Sequence, residues 1–383
     1  MSILPGSTIG ILGGGQLGRM LTLTAKRLGY QVHIFSPDFD TPAGEVADLA
    51  ITGPYNDTEA LSRFAQAVDV VTIEFENIPV TALKTLEAQV PVYPQPHVLE
   101  MAQHRGREKA FLSQLGIPLA AFRVVASEAE LSDALTEIGC PCVLKTAGFG
   151  YDGKGQSKIT TPDQALPAFN ALQQAPCTLE QFITLDREIS VIAARGANGA
   201  FSAYRPVENQ HQNHILDVTL APASISAELE AQAIAITRQI MEALDMRGLL
   251  CVEFFITQDG QLLVNELAPR THNSGHYSIE ATACSQFEQQ LRAVCGLPLG
   301  NPELIKPAAM ANLLGDLWSN DEPHWAAGLA QADVSLHLYG KKEARPGRKM
   351  GHITALGSSP EAAATKVLAA RSALSVILKN QQI

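Results

Sequence analysis

Glu253 and Glu266 stand on either side of Asp259-Gly260 in the stretch CVEFFITQDGQLLVNE. Two apolar runs of strand character around Asp-Gly predict a hairpin with a two-residue type I′ turn, whose central positions both need positive φ. With that turn Gln258 faces Gln261, and pairing outward sets Glu253 across from Glu266 with Cβ atoms roughly 5 Å apart. Opposed carboxylates repel, so a half-buried pair must share a proton or hold a cation. Oxygen ligands without Cys or clustered His favour magnesium over zinc. A register shifted by one residue would leave one acid in solvent, and the hairpin alone leaves both arrangements open. The second acid also belongs to LVNELAPRTHNSGH, residues 263–276, where Asn265, Arg270, His272, Asn273, Ser274 and His276 crowd one strand exit with polar groups that packing does not require.

Groups suited to phosphate lie upstream. Lys145 ends the apolar run 141–145 and precedes TAGFGYDGKGQ, with four glycines in eight residues. Such a segment lets the backbone close over a ligand and aim N–H groups at phosphate oxygens. It is not a Walker loop, because no GK[ST] opens a helix there. Lys145 suits an α- or β-phosphate, or a surface position reached by snorkelling. Nearer the start, Gly13, Gly15 and Gly18 stand at GxGxxG spacing between an apolar strand over 8–12 and a helix over 19–28. That turn presents a phosphate with the positive end of a helix. A dinucleotide would also need an acid at the end of the next strand, about 20 residues on. Ser36-Pro37 follows the strand 31–35 instead, which suits a monophosphate better; a turn that serves packing alone stays open.

A third strand over 69–75 ends at Glu76-Asn77, which either reach the same crevice or are solvated strand-end groups. The polar stretch 205–214 reads as a turn, and its His211 and His214 fit loop or nucleotide contacts better than a metal site. Lys341, Lys342, Arg345, Arg348 and Lys349 surround a Pro-Gly turn that could close over a phosphate or lie solvated.

The elements that position these groups need more than one typical domain, and 383 residues, 46% of them hydrophobic, can supply the core. Proline clusters at 91–96 and 298–307 set boundaries near 97 and 300. The expected units are an α/β domain over 1–97, a central region over 98–300 with a flap subdomain at about 120–185, and a C-terminal unit over 301–383. Helices are expected over 98–115, 128–138, 228–244, 277–295 and 360–378. A net charge of −11 with no sustained Lys/Arg run argues against a nucleic-acid surface. Residues 1–6 lack a signal pattern and no apolar run approaches the roughly 20 residues of a span, so a cytoplasmic, membrane-free chain is expected. The six cysteines form no CxxC pair and read as buried thiols.

Taken in order, GGGQLG, Lys145, GYDGKGQ, EQF, the acidic hairpin, NELAPRTHNSGH and ARPGRKMGH resemble the ATP-grasp enzymes of purine biosynthesis, most closely those that carboxylate aminoimidazole ribonucleotide. The resemblance spans nearly the whole chain. It implies a mixed α/β and α+β ATP-grasp fold with an open parallel α/β pre-ATP-grasp domain, a small β-rich C-terminal cap, and a homodimer. It also implies ATP, two magnesium ions, bicarbonate and 5-aminoimidazole ribonucleotide as ligands, with carboxyphosphate between the half-reactions.

Carried onto matching positions, Lys145, Gly150, Tyr151, Asp152, Gly153, Lys154, Gly155 and Gln156 hold the ATP phosphates. Glu180, Gln181, Phe182 and Ile183 take the adenine edge, Glu188 the ribose, and Arg105 and His211 further nucleotide atoms. Glu253 and Glu266 ligate magnesium with Asn265 beside them; Ala268 stands where the wider pattern often has Asn. Tyr151, Asp152, Lys154, Arg270, His272, Asn273 and Ser274 surround bicarbonate and the amine, with His272 either accepting the amine proton or orienting the substrate. Gly15, Gln16, Leu17 and Gly18 take the ribonucleotide's phosphate, Arg345 and Lys349 close over it, and Glu76 holds its ribose. The alternatives are a formate-dependent glycinamide ribonucleotide transformylase, an NAD-dependent oxidoreductase built on Gly13 to Gly18, and a nucleotide sensor without catalysis.

Overall fold

The computed structural model describes residues 2–148, 155–319 and 321–375. Gly150, Tyr151, Asp152, Gly153 and Lys154 therefore lie outside the described residues.

The N-terminal strands form a parallel sheet in the order Leu49–Thr52, Gln31–Ser36, Thr8–Leu12, Val70–Ile73. Its central strands are covered on both faces, which is why they read as unbroken apolar runs. Met20, Leu21 and Ala25 of helix Gln16–Arg27 pack on one face with Phe287, Leu291 and Val294. Leu61, Phe64, Leu83 and Leu86 cover the other. Strand Leu49–Thr52 is absent from the sequence reading because it is a mostly exposed edge with no apolar pattern.

The expected helix over 98–115 is two helices, Pro96–Ala102 and Arg105–Gln114. At the break, Gln103 Nε2 donates to the Glu76 carbonyl at 2.6 Å, and His104 caps the second helix by accepting the Arg107 N–H at 3.3 Å. The helix expected over 277–295 also divides, into Ser278–Ala281 and Gln286–Cys295, with Ser285 capping the second. That second helix joins two sheets: Gln290 donates to Thr72 Oγ1 at 2.8 Å and accepts the Leu249 N–H at 2.6 Å.

The central antiparallel sheet has nine strands among the described residues. It runs from Leu262–Ala268 through Gly248–Thr257, Leu185–Arg195, Val207–Gln212 and Ile215–Ala221, and continues into the C-terminal strands Ala308–Leu314, Lys349–Leu356 and Val334–Leu338, while Phe201–Ala203 pairs with Leu185–Arg195 off this path. The stretch read as a turn over 205–214 is mostly strand Val207–Gln212; only Asn213 and His214, at φ 50° and 64°, form the turn into the next strand. A smaller antiparallel sheet orders Phe122–Val125, Cys177–Gln181, Cys142–Thr146 and Gln156–Ile159.

The acidic hairpin departs from expectation twice. Its loop has three residues, not two: Thr257 N–H donates to the Gln261 carbonyl, and Gly260 takes φ +81°. Pairing beyond the loop is therefore shifted by one, with Phe255 opposite Leu263 and Phe254 opposite Val264. A bulge at Asn265 then restores the expected register, and Glu253 faces Glu266.

Candidate active site

Residues from all three sheets line one cavity of about 970 Å³. Gln16, Leu17, Phe75, Glu76 and Asn77 come from the N-terminal domain, Lys145, Gly155 and Gln156 from the small sheet, and Glu188, His211, Glu253, Asn265 and Glu266 from the central sheet. Arg270, His272, Asn273 and His276 come from the loop after the hairpin, Arg105 from the helix break, and Lys349 from the C-terminal strands.

The acid pair is already met by cations. Glu253 Oε1 lies 2.9 Å from His272 Nε2, and Glu266 Oε2 lies 3.4 Å from Arg105 Nη1. Burial works to raise the Glu253 pKa, but the His272 bond and charge, with help from His211 and Arg270, hold it down at about 2. Burial raises Glu266; Arg105 opposes this, and the charges of Glu253 and Glu76 add to it. Glu188, 3.3 Å from His211, is pushed up to about 7 by burial and by Glu253. Asn265 Oδ1, turned out by the bulge, is buried without a partner. Glu253, Glu266 and the unpartnered Asn265 oxygen are oxygen donors of the kind a hard divalent cation takes. Among the described residues no group of three or more His, Cys, Asp or Glu is placed to hold a metal ion by itself.

In sequence His272 is open to accepting the amine proton or orienting the substrate. Burial disfavours its charge, but Cys251 and the Glu253 carboxylate outweigh burial and raise its pKa to about 10. Its Nε2 faces Glu253, and its Nδ1 accepts the Ser274 N–H at 3.3 Å. Ser274, expected among the substrate-binding residues, is fully buried and not part of the lining. Its Oγ lies 2.8 Å from both His272 Nδ1 and Ser190 Oγ, at the end of a buried chain through Asn209 to Thr219. It orients His272. Asn273 lines the cavity with both amide atoms unpartnered.

Glu74 changes the reading of the glycine turn. Its carboxylate accepts the Gly15 N–H and, at 2.7 Å, the Gly18 N–H, and a Cβ at Gly13 would strike its side chain. Those two donors are therefore unavailable to the expected phosphate. Gln16 and Leu17 face the cavity, and as the first two helical residues their N–H groups lack partners within the helix. Glu76 is gripped by both sides of the Arg270 fork, with Nη2 to Oε1 at 2.9 Å.

Lys145 lines the cavity with its Nζ 2.9 Å from Glu180, and Lys109 reaches the same carboxylate at 3.2 Å. The Glu180 side chain is thus an internal counter-ion rather than a lining group. Gln181, Phe182 and Ile183 are not in the lining either, and Lys158 Nζ sits 3.6 Å over the Phe182 ring. Arg345 is exposed, 3.5 Å from Glu343, and outside the lining. Burial raises the Glu180 pKa, but the two lysines pull it down to about 2. With a depressed folded value, its contribution to stability is full above the unfolded pKa of about 4.5 and is lost as pH falls toward about 2. Glu180→Gln is expected to lose about 3–5 kcal/mol at pH 7 by stranding two buried ammonium groups. It should also flatten the acid limb of urea midpoint against pH; an unchanged limb would contradict the pairing.

Sequence reasoning missed Glu74, Gln286 and the Ser190–Asn209–Thr219 chain. For the last, Ser190 and Thr219 are polar residues inside apolar runs, whereas Asn209 lies in the polar stretch VENQHQ and carried no signal.

An antiparallel sheet carrying paired acids and a smaller sheet carrying Lys145, both facing a cavity roofed by an open parallel domain, define an ATP-grasp protein. The ATP-grasp domain family matches residues 110–287, the ribonucleotide synthetase preATP-grasp domain 6–103, and the phosphoribosylaminoimidazole carboxylase C-terminal domain 308–366. The chain is 47% identical over 355 residues to the N5-carboxyaminoimidazole ribonucleotide synthase of Brucella melitensis, covering 92% of this chain and 97% of that one. It belongs to the N5-carboxyaminoimidazole ribonucleotide synthase family. Among solved structures, the Staphylococcus aureus N5-carboxyaminoimidazole synthetase complexed with ADP is similar at TM-score 0.90 and 37% identity, over 97% of this chain and 98% of that one. The Aspergillus clavatus N5-carboxyaminoimidazole synthase in complex with ADP and 5-aminoimidazole ribonucleotide is similar at TM-score 0.87 and 32% identity, over 97% and 99%.

Proposed function

We propose that this chain carboxylates the amine of 5-aminoimidazole ribonucleotide, using ATP and bicarbonate and releasing ADP and phosphate, as a step of purine biosynthesis. One observation carries the reading: the Glu253–Glu266 pair, Lys145 and the Arg270–His272 loop line a single cavity. Bicarbonate is a poor electrophile. Its oxygen attacks the γ-phosphorus of ATP, the bond to the β-phosphate oxygen breaks, and ADP leaves carboxyphosphate behind. Breakage of the C–O bond to phosphorus yields carbon dioxide, the amine adds to its carbon, and the amine proton passes to the phosphate just released.

Glu253 and Glu266 hold magnesium, and Asn265 Oδ1 supplies the amide oxygen that Ala268 lacks. The bound cations offset charge on the transferring phosphoryl oxygens. Lys145, Gly155 and Gln156 position the phosphates. Glu188 and His211 face the nucleotide, and Arg105 joins the phosphates. Arg270, His272 and Asn273 hold bicarbonate and the amine, Gln16, Leu17 and Lys349 the ribonucleotide's phosphate, and Glu76 its ribose. The units are 1–97, 98–300 and 301–383, assembled as a cytoplasmic homodimer. No described helix is long and apolar enough to cross a membrane.

ADP release is the test, measured with bicarbonate plus aminoimidazole ribonucleotide, with glycinamide ribonucleotide plus formate, and with neither. Stimulation by the first pair alone is expected. A requirement for formate, or no response to the aminoimidazole substrate, would overturn the assignment.

A further inference from the structure

Gln286 is fully buried at the start of helix Gln286–Cys295, and its amide grips the loop that carries His272. Oε1 accepts the His272 backbone N–H at 2.8 Å, and Nε2 donates to the His272 carbonyl at 2.7 Å. A backbone N–H only donates and a carbonyl only accepts, so these partners settle which end of the amide is oxygen. Nε2 has a second hydrogen, and Nδ1 of His276 lies 3.0 Å away. Nδ1 must therefore accept. The proton of the neutral ring is then on Nε2, and a doubly protonated ring would oppose N–H to N–H.

The surroundings agree. The His276 ring is 1% exposed, packed 4.8 Å from the His352 ring and 5.6 Å from Phe287, with Tyr339 at its edge. Burial first, then the charges of His272, His337, Lys349 and Arg270, push its pKa well below the usual imidazole range. Nδ1 is taken by Gln286, while the ring lines the catalytic cavity and Nε2 has no bond within the described residues.

We propose that His276 is a substrate-binding residue, a fixed neutral Nε2–H that donates to an anionic oxygen, either of the ribonucleotide's phosphate or of bicarbonate, with Gln286 as the positioning residue that sets its tautomer. Arg270 and Lys349 already bring positive charge to this cavity. A neutral donor adds direction without a further cation to desolvate. The identity of the anion rests on the function proposed above, whereas the tautomer does not.

The two parts are separately measured. Long-range proton–nitrogen correlation spectra of the histidine-labelled, unaltered protein should show His276 with its proton on Nε2 and no titration between about pH 5 and 8, the range in which an ordinary histidine loses its charge. A proton on Nδ1, or a charged ring at neutral pH, overturns the proposal. In Gln286→Glu the new carboxylate should draw the proton to Nδ1 and make the ring titrate.

In kinetics, His276→Phe is expected to raise KM about tenfold or more for either the ribonucleotide or bicarbonate, in line with loss of a hydrogen bond to a charged group. Whichever substrate responds identifies the anion. His276→Gln, whose amide can donate from near the Nε2 position, should raise it clearly less. A rise for ATP alone, or for no substrate, overturns the proposal. Failure of the unaltered enzyme in the ADP-release assay would count against the function and not against the tautomer.

Discussion

Glu266→Gln should leave the protein folded and remove nearly all turnover at saturating magnesium. The carboxylate faces Glu253 across the hairpin, and burial together with that like charge raises its pKa. A carboxylate with a raised folded pKa lowers stability as pH rises from its unfolded value through its folded one, so the neutral amide removes a burden from the fold at neutral pH. The melting temperature is expected to hold or rise slightly. Catalysis should fall about a thousandfold or more, because a magnesium site reduced to one carboxylate forfeits several kcal/mol of phosphoryl charge stabilisation. Steady-state ADP release and a thermal melt on the same sample separate the two effects. Near-normal rates would remove Glu266 from the metal site.

Arg270→Met should damage both stability and catalysis. The guanidinium holds Glu76 through two parallel bonds, tying the N-terminal domain to the loop that carries His272. Burial tends to raise the Glu76 pKa, but the Arg270 charge and bonds keep it below the ordinary carboxylate range. Removing the arginine strands that carboxylate, at about 3–5 kcal/mol of stability. A loss of at least about a hundredfold in kcat/KM is expected, since breaking one such pair costs about 2–5 kcal/mol in binding. Arg270→Lys should not rescue it, because an ammonium cannot reproduce the planar fork. The double variant Glu76→Gln with Arg270→Met should recover much of the stability and none of the activity. Full recovery of activity in that double variant would show that Arg270 serves Glu76 alone.

Much of the site was legible because its chemistry is concentrated in short stretches. Residues 263–276 carry the second acid, Arg270 and His272, and the glycine spacing of 148–155 follows Lys145 directly. Local patterns also set the helices Glu128–Ile138 and Ala227–Ala243, whose Ser127 and Ser226 caps precede them. Wherever a side chain's partner is distant in sequence, the pattern was silent. Nothing local marked Glu74, which the fold brings onto the Gly15 and Gly18 N–H groups. Lys109 and Glu180 lie 71 positions apart, yet share one buried ion pair.

The acid pair shows where the division falls. Alternation and an Asp-Gly turn were enough to put Glu253 near Glu266. The hairpin reached that register through a three-residue loop offset by the bulge at Asn265, whose amide oxygen is buried without a partner beside the acid pair. From residue types alone came the kind of chemistry: hard oxygens, phosphate-binding glycines and a cationic loop. Tertiary structure decided partners and role, making Glu180 a counter-ion, Ser274 a support and His272 a partner of Glu253. The reason is physical. Residue type and spacing act locally, whereas burial and the field at a titratable group are sums over neighbours that only the folded chain brings together.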